Sequence, residues 1–139
     1  METIAQKKLL IVEDEPMIRH AIVETFSQEK DIIVLAAKDG KEGLEAALHE
    51  HPDYILLDIV MPVMDGMQML EALREDEWGK DAHVMFLSNL DDSEKMAEAR
   101  AKGVYDFVIK SDMDTREVVK VVRKKLFGDE PAKEGTPEN

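Results

Sequence analysis

Three carboxylates, one hydroxyl and one amine stand at the ends of apolar runs in this sequence. Lys8-Leu9-Leu10-Ile11-Val12 leads into Glu13 and Asp14, Tyr54-Ile55-Leu56-Leu57 into Asp58, Val84-Met85-Phe86-Leu87 into Ser88, and Val108-Ile109 into Lys110. The carboxyl ends of the strands in a parallel sheet share one edge, so these side chains converge if each run is a strand. Neighbouring carboxylates repel one another unless a cation or a proton offsets their charge. Magnesium takes hard oxygen ligands, commonly a few carboxylates with waters and phosphate oxygens completing its shell. Glu13, Asp14 and Asp58 meet that demand without histidine or cysteine, and the backbone carbonyl of Val60 completes the protein's share. Calcium prefers a denser oxygen cage, and its loop pattern is absent from the sequence.

The same arrangement suits Asp58 as a nucleophile. A carboxylate attacks phosphorus to give an aspartyl phosphate, and a bridging metal neutralises the charge that develops. Lys110 supplies a second positive contact and Ser88 a hydrogen bond to a phosphoryl oxygen. Each residue also has an ordinary reading: Glu13 and Asp14 as a solvated turn or helix cap, Ser88 as a cap for the helix after it, Lys110 as a loop lysine. Their joint placement at the ends of four runs favours the chemical reading.

The chain has 139 residues, 44% of them hydrophobic, which fits one domain with one core. No run approaches the roughly 20 apolar residues of a membrane helix, and the first residues lack a secretory pattern. There is no cysteine, hence no disulfide or thiol chemistry. These features predict a cytoplasmic protein without membrane insertion. The net charge of -13 argues against direct nucleic-acid binding. Lys120, Arg123, Lys124 and Lys125 form a local basic group that also complements the dipole of the last helix.

Short apolar runs alternate with amphipathic segments, the pattern of repeated βα units. It predicts strands at 8–12, 32–36, 54–58, 83–87 and 105–109. Helices are predicted over 16–28, with Ile18, Ala21, Ile22, Thr25 and Phe26 inward, and over 41–49, with Leu44, Ala47 and Leu48 inward. A third is predicted over 67–75 with Met69, Leu70 and Leu73 packed. A fourth lies between Ser93 and Gly103 with a weak apolar face of Met96, Ala97, Ala101 and neighbouring alanines. The fifth covers 115–126 with Val118, Val119, Val122 and Leu126 inward. Pro16 suits a first helical turn and Gly128 a helix stop. Residues 1–128 are read as the folded domain and 129–139 as a flexible acidic and polar tail with little to bury.

Over residues 7–126 the chain resembles the receiver domain of bacterial two-component response regulators, in a single-domain form like the chemotaxis regulators. The resemblance rests on Glu13-Asp14, Asp58, Met61-Pro62-Val63-Met64-Asp65-Gly66, Ser88 and Lys110 in that order. It implies a three-layer, doubly wound α/β fold of the flavodoxin-like type, with five parallel strands in the order 2-1-3-4-5. It implies Asp58 as phosphoacceptor, Glu13, Asp14, Asp58 and the Val60 carbonyl as ligands for magnesium with manganese as a substitute, Ser88 as the hydroxyl that senses the phosphoryl group, and Lys110 as its basic partner. Phe107 matches an aromatic switch position, although strand packing alone would also explain it. The implied phosphodonor is a sensor histidine kinase or phosphotransfer protein, and the implied listener is an output protein or a phosphorylation-dependent homodimer. Phosphoryl transfer to Asp58 would be self-catalysed, with slow autodephosphorylation and no turnover of a substrate.

The sequence departs from that family at several points. Ser111 follows Lys110 where proline, often in a cis peptide, is usual. A cis bond to a non-proline residue costs about 2.5–4 kcal/mol, so a trans path is expected. Asn89 replaces a small residue after Ser88 and either restricts the phosphodonor or adds a hydrogen bond. Val60 and Leu90 stand where phosphoryl lifetime is tuned, and neither can orient a hydrolytic water. A phosphohydrolase with an aspartyl nucleophile would carry a second aspartate at Val60. A nucleotide-binding loop would need glycines that Val12-Glu13-Asp14-Glu15-Pro16-Met17 lacks. A phosphorylation-independent binding module is the remaining alternative, and the intact acceptor set argues against it.

Overall fold

Along β1 (Lys7–Val12), Leu9 and Ile11 face one side of the sheet and Leu10 and Val12 the other, and all four are fully buried. A strand apolar on both faces needs a helical layer on each. The computed structural model, which describes residues 5–89 and 93–128, provides those layers. β2 (Ile32–Ala37), β3 (Tyr54–Asp58), β4 (Val84–Ser88) and β5 (Asp106–Ile109) join β1 in a parallel sheet ordered β2-β1-β3-β4-β5. This is the flavodoxin-like order that the resemblance implied. The central β3 and β4 are buried throughout, whereas β2 and β5 at the edges are partly exposed.

Helices α1 (Pro16–Phe26) and α5 (Thr115–Phe127) cover one face, where Ile22, Phe26, Val118 and Val122 meet Ile11, Leu56 and Leu87. On the other face, α2 (Gly40–Glu50), α3 (Gly66–Arg74) and α4 (Ser93–Ala101) bring Ala47, Leu70, Leu73 and Ala99 onto Leu10, Val12, Leu57 and Phe86. Gly128, at a φ of 75°, ends α5. No helix among the described residues is long and apolar enough to cross a membrane. The expected tail, 129–139, lies outside the described residues.

Several inward assignments change. Ala21 is exposed, because Ile22 and Phe26, one turn apart, already span the contact of α1 with the sheet. Leu48 is also exposed. α2 sits so close to β1 that its buried stripe is Gly40, Gly43 and Ala47; a Cβ on Gly43 would lie 2.8 Å from Val12. In α4, Ala97 and Ala101 are exposed, Met96 is half-buried and Ala99 alone is buried. The basic residues of α5 are engaged within the fold. Arg123 grips Asp31 at 2.7 and 2.9 Å and reaches Glu29 at 3.0 Å, while Lys125 lies 3.3 Å from Asp106. The Arg123 guanidinium holds the Asp31 carboxyl below its ordinary range.

Gly66 opens α3 in close contact with β3. A Cβ there would collide with the Asp58 carbonyl oxygen and lie 3.0 Å from Phe86 Cε1. Backbone cannot yield as a flexible side chain can, so Gly66→Ala is expected to lower stability by about 2–3 kcal/mol. Urea denaturation checks this, and a loss below about 0.5 kcal/mol, the scale of ordinary surface substitutions, contradicts it.

Candidate functional site

Strand register builds the site. Val12 pairs with Leu57, so Glu13 follows beside Asp58; Asp58 pairs with Leu87, which places Ser88 one step beyond; Ser88 pairs with Ile109, and Lys110 comes next. Glu13, Asp58 and Ser88 are the buried polar or charged residues among those described. Asp14 is half-buried beside them, and one carboxylate oxygen from each of Glu13, Asp14 and Asp58 lies within 4.8 Å of the others.

Lys110 follows directly after the last strand of the sheet and reaches back to the first station. Its Nζ stands 3.2 Å from Asp58 Oδ2 and 3.2 Å from Glu13 Oε1. The Lys110–Ser111 peptide is trans, as Ser111 led us to expect, and Lys110–Asp112 forms a single 3₁₀ turn. Glu13 Oε2 accepts the Glu15 N–H at 3.0 Å, whereas Oε1 has no donor in hydrogen-bond geometry among the described residues despite the nearby ammonium. Burial and the charge of Glu13 push the Asp58 carboxyl up to about 7, with Lys110 pulling the other way. The Lys110 ammonium is held above its ordinary value because attraction to Asp58 and Glu13 outweighs its burial. Three carboxylates against one ammonium leave an acidic, oxygen-lined site with an unsatisfied oxygen. That donor set fits a hard divalent cation.

The remaining stations fall around this centre. The Ser88 hydroxyl is buried and has no hydrogen-bond partner among the described residues. Asn89, next in sequence, is exposed. Val60 is 53% exposed, and its carbonyl accepts no backbone N–H among the described residues, while the Ile59 carbonyl is taken by Gly66 N–H at 2.7 Å. Leu90 lies outside the described residues. Phe107 is half-buried, its ring stacked 6.2 Å from Phe86, with the Arg100 guanidinium 5.7 Å from its centroid.

Sequence reading missed how two groups hold this site. Arg19 donates to the Glu13 carbonyl at 2.9 Å and the Asp14 carbonyl at 3.4 Å, tying down the acidic loop from the first turn of α1. Its position one helical turn after Glu15 was the available signal. The second group is the turn after β3. Met64 N–H bonds the Pro62 carbonyl at 2.7 Å, with Val63 at a φ of 71°, and Asp65 caps α3 in a reciprocal pair with Gln68. Positive φ is costly for a β-branched residue, so the flanking bonds must hold this turn.

Residues 9–123 match the family described as response regulator receiver domain. The chain is 32% identical over 122 residues to the nitrate/nitrite response regulator protein NarL of Escherichia coli, covering 87% of this chain and 55% of that protein. It is 36% identical over 107 residues to a protein-glutamate methylesterase/protein-glutamine glutaminase of Archaeoglobus fulgidus, covering 76% and 30% respectively. The chain thus spans about half, or less, of the length of these curated relatives. Among solved structures it is similar to chemotaxis protein CheY4 of Vibrio cholerae, with a TM-score of 0.79 at 29% identity over 88% of this chain and 100% of that one. It is also similar to the receiver domain of AraT from Geobacillus stearothermophilus, with a TM-score of 0.74 at 33% identity over 86% of this chain and 92% of that one.

Proposed function

Since the chain belongs to the response regulator receiver domain family, a class of phosphoaccepting signalling domains and not of turnover enzymes, we propose that Asp58 is its phosphoacceptor. The observation that carries this reading is the buried Asp58 carboxylate held by Lys110 at 3.2 Å within an acidic, cation-ready cluster. Asp58 attacks phosphorus in line with the leaving group. Lys110 stays within reach of an incoming phosphoryl oxygen, and the buried Ser88 hydroxyl donates to another. Glu13, Asp14, Asp58 and the Val60 carbonyl would hold magnesium, or manganese in its place. When bound, that ion neutralises charge between the carboxylate and the phosphoryl oxygens. The family relationship supports a sensor histidine kinase or phosphotransfer protein as donor, and an output protein or a second copy of the chain as listener. Intact-mass analysis after incubation with acetyl phosphate and magnesium tests the acceptor assignment: a single adduct mapping to Asp58 is expected, and an adduct mapping elsewhere overturns it.

Asp14→Asn is expected to weaken magnesium binding about tenfold, because one charged oxygen donor is lost at a partly exposed position. Isothermal calorimetry reads this directly. Trp78 fluorescence is a poor reporter, since its ring is stacked 4.4 Å from His51, beyond the opposite end of β4. Equal affinities in wild type and variant would remove Asp14 from the ligand set.

A phosphoryl oxygen drawing Ser88 toward Asp58 would open space beside Phe86, into which Phe107 can turn. Arg100 would then lose its place over the ring. This turns a local charge change into repacking of α4, β5 and α5. Phosphorylation is expected to change amide exchange across all three elements, and Phe107→Ala to reduce that change at least about twofold while leaving Asp58 labelling intact. Changes confined to the residues around Asp58 would refute the switch.

A further inference from the structure

The loop between β1 and α1 carries two of the three clustered carboxylates, yet few bonds fix its backbone. Glu13 N–H bonds the Ala37 carbonyl at 3.1 Å, and Glu15 N–H bonds Glu13 Oε2 at 3.0 Å. Pro16 has no N–H to offer, and Glu15, the N-cap of α1, makes no side-chain capping bond. Asp14 is half-buried, so packing alone does not hold it.

Arg19 supplies the missing hold from an unfavourable place. Its own N–H bonds the Glu15 carbonyl at 2.9 Å, which sets it in the first turn of α1, and its side chain folds back over the helix start. The positive end of the helix dipole disfavours a cation there. The contact that offsets this is made by Nη1, which donates to the Glu13 carbonyl at 2.9 Å and to the Asp14 carbonyl at 3.4 Å. Arg19 is half-buried, and a charge-assisted bond is stronger where water is partly excluded. One nitrogen thus spans two successive carbonyls, limiting rotation of the backbone between them. That fixes the directions in which the Glu13 and Asp14 side chains leave the chain. Ligands fixed in advance lose less freedom when they take up an ion.

We propose that Arg19 is a positioning residue for the cation site, acting through the two carbonyls and not as a ligand. This rests on the reading that Glu13, Asp14 and Asp58 hold magnesium. Two effects of Arg19 oppose each other: its charge repels a bound cation, whereas its clamp prepares the ligands. Arg19→Lys separates them, because it keeps the charge on a side chain one bond shorter that ends in a single nitrogen. The full chain is titrated with magnesium chloride by calorimetry, and amide exchange is followed in the metal-free protein. Arg19→Lys is expected to bind magnesium about threefold more weakly, less than the tenfold or more typical of groups that bond a ligand side chain directly. Its Glu15 amide should exchange at least about threefold faster, while amides of β3 and β4 exchange as in the wild type. Equal magnesium affinity in the two proteins overturns the proposal, as does Glu15 exchange that does not change. Faster exchange throughout β3 and β4 overturns it too, since it would mark a general loss of stability. Arg19→Gln, read in about 0.5 M KCl where the Debye length is about 4 Å, removes the clamp with the charge effect screened. It is expected to bind about threefold more weakly than the wild type in that salt, and equal or tighter binding overturns the proposal even if Arg19→Lys does not fold. A wild type that takes up no magnesium ends the cation reading of the three carboxylates, and this proposal with it.

Discussion

Asp58→Asn is expected to lower labelling by acetyl phosphate at least about 100-fold, because an amide lacks the nucleophilic carboxylate that an acyl phosphate requires. On the proposed assignment, an Asp58 oxygen of the wild type would form the new P–O bond and acetate would leave with the electrons of the old one. Glu13 and Asp14 stand within 4.8 Å but are poor substitutes. Glu13 is fully buried, bonded through Oε2 to the Glu15 N–H and faced by Lys110, whereas Asp14 lies at the more exposed rim. The wild-type adduct should be labile to both acid and base, and chelation of divalent ions should suppress it to a similar degree. The readout is intact mass followed by peptide mapping. An adduct formed on Asp58→Asn at the wild-type rate would move the acceptor to another residue.

The same substitution is expected to stabilise the metal-free domain at alkaline pH. Asp58 is pushed up to about 7 from an ordinary value of 3.8, first by burial and then by the charge of Glu13. A folded-state pKa above the unfolded value contributes stability that is whole below the unfolded pKa and is lost as pH rises through the folded one. The loss therefore develops between about pH 4 and pH 7 and levels off beyond. Lys110, held above its ordinary value, contributes stability that is lost only at strongly alkaline pH, so it is constant across this window. Asp31, held low by Arg123, contributes stability that is lost only as pH falls through the acid range. The shift at Asp58 sets a ceiling of about 4 kcal/mol, and sharing of charge with Lys110 brings the expected effect to about 2 kcal/mol. Urea midpoints at pH 5 and pH 8 in the presence of chelator should show Asp58→Asn gaining on the wild type by that amount, and magnesium should shrink the difference. A difference between the two proteins that stays constant from about pH 5 to pH 8 would show that the Asp58 carboxylate is not destabilised by its surroundings.

What could be read in advance follows from how far each signal reaches along the chain. Apolar runs that stop at a polar residue marked the strand ends, four residues long before Glu13, Asp58 and Ser88 and shorter before Lys110, because a buried strand tolerates a charge only where it emerges. Tyr54–Asp58 agrees with the expected 54–58 for that reason. Pro16 and Gly128 marked helix limits through backbone geometry alone. The set Glu13, Asp14, Asp58, Ser88 and Lys110 was therefore legible as a list of strand-end residues. The order 2-1-3-4-5 came from family resemblance, since an apolar run does not encode which strand lies beside it.

The sequence by itself determined which residues emerge at one sheet edge, and with them the chemistry available there. Tertiary structure decided how that chemistry is poised. Only the ladder register sets Lys110 Nζ at 3.2 Å from both Asp58 and Glu13, across residues far apart in the chain. Close packing at Gly43, which no periodicity foretells, turned Leu48 outward and chose the buried stripe of α2. Arg19 clasping the acidic loop and Arg74 bonded to the Gly79 and Ala82 carbonyls before β4 likewise depend on which groups meet in space. Local pattern fixes the face a side chain points to, whereas its neighbours, and hence its charge state and its partners, follow from long-range pairing.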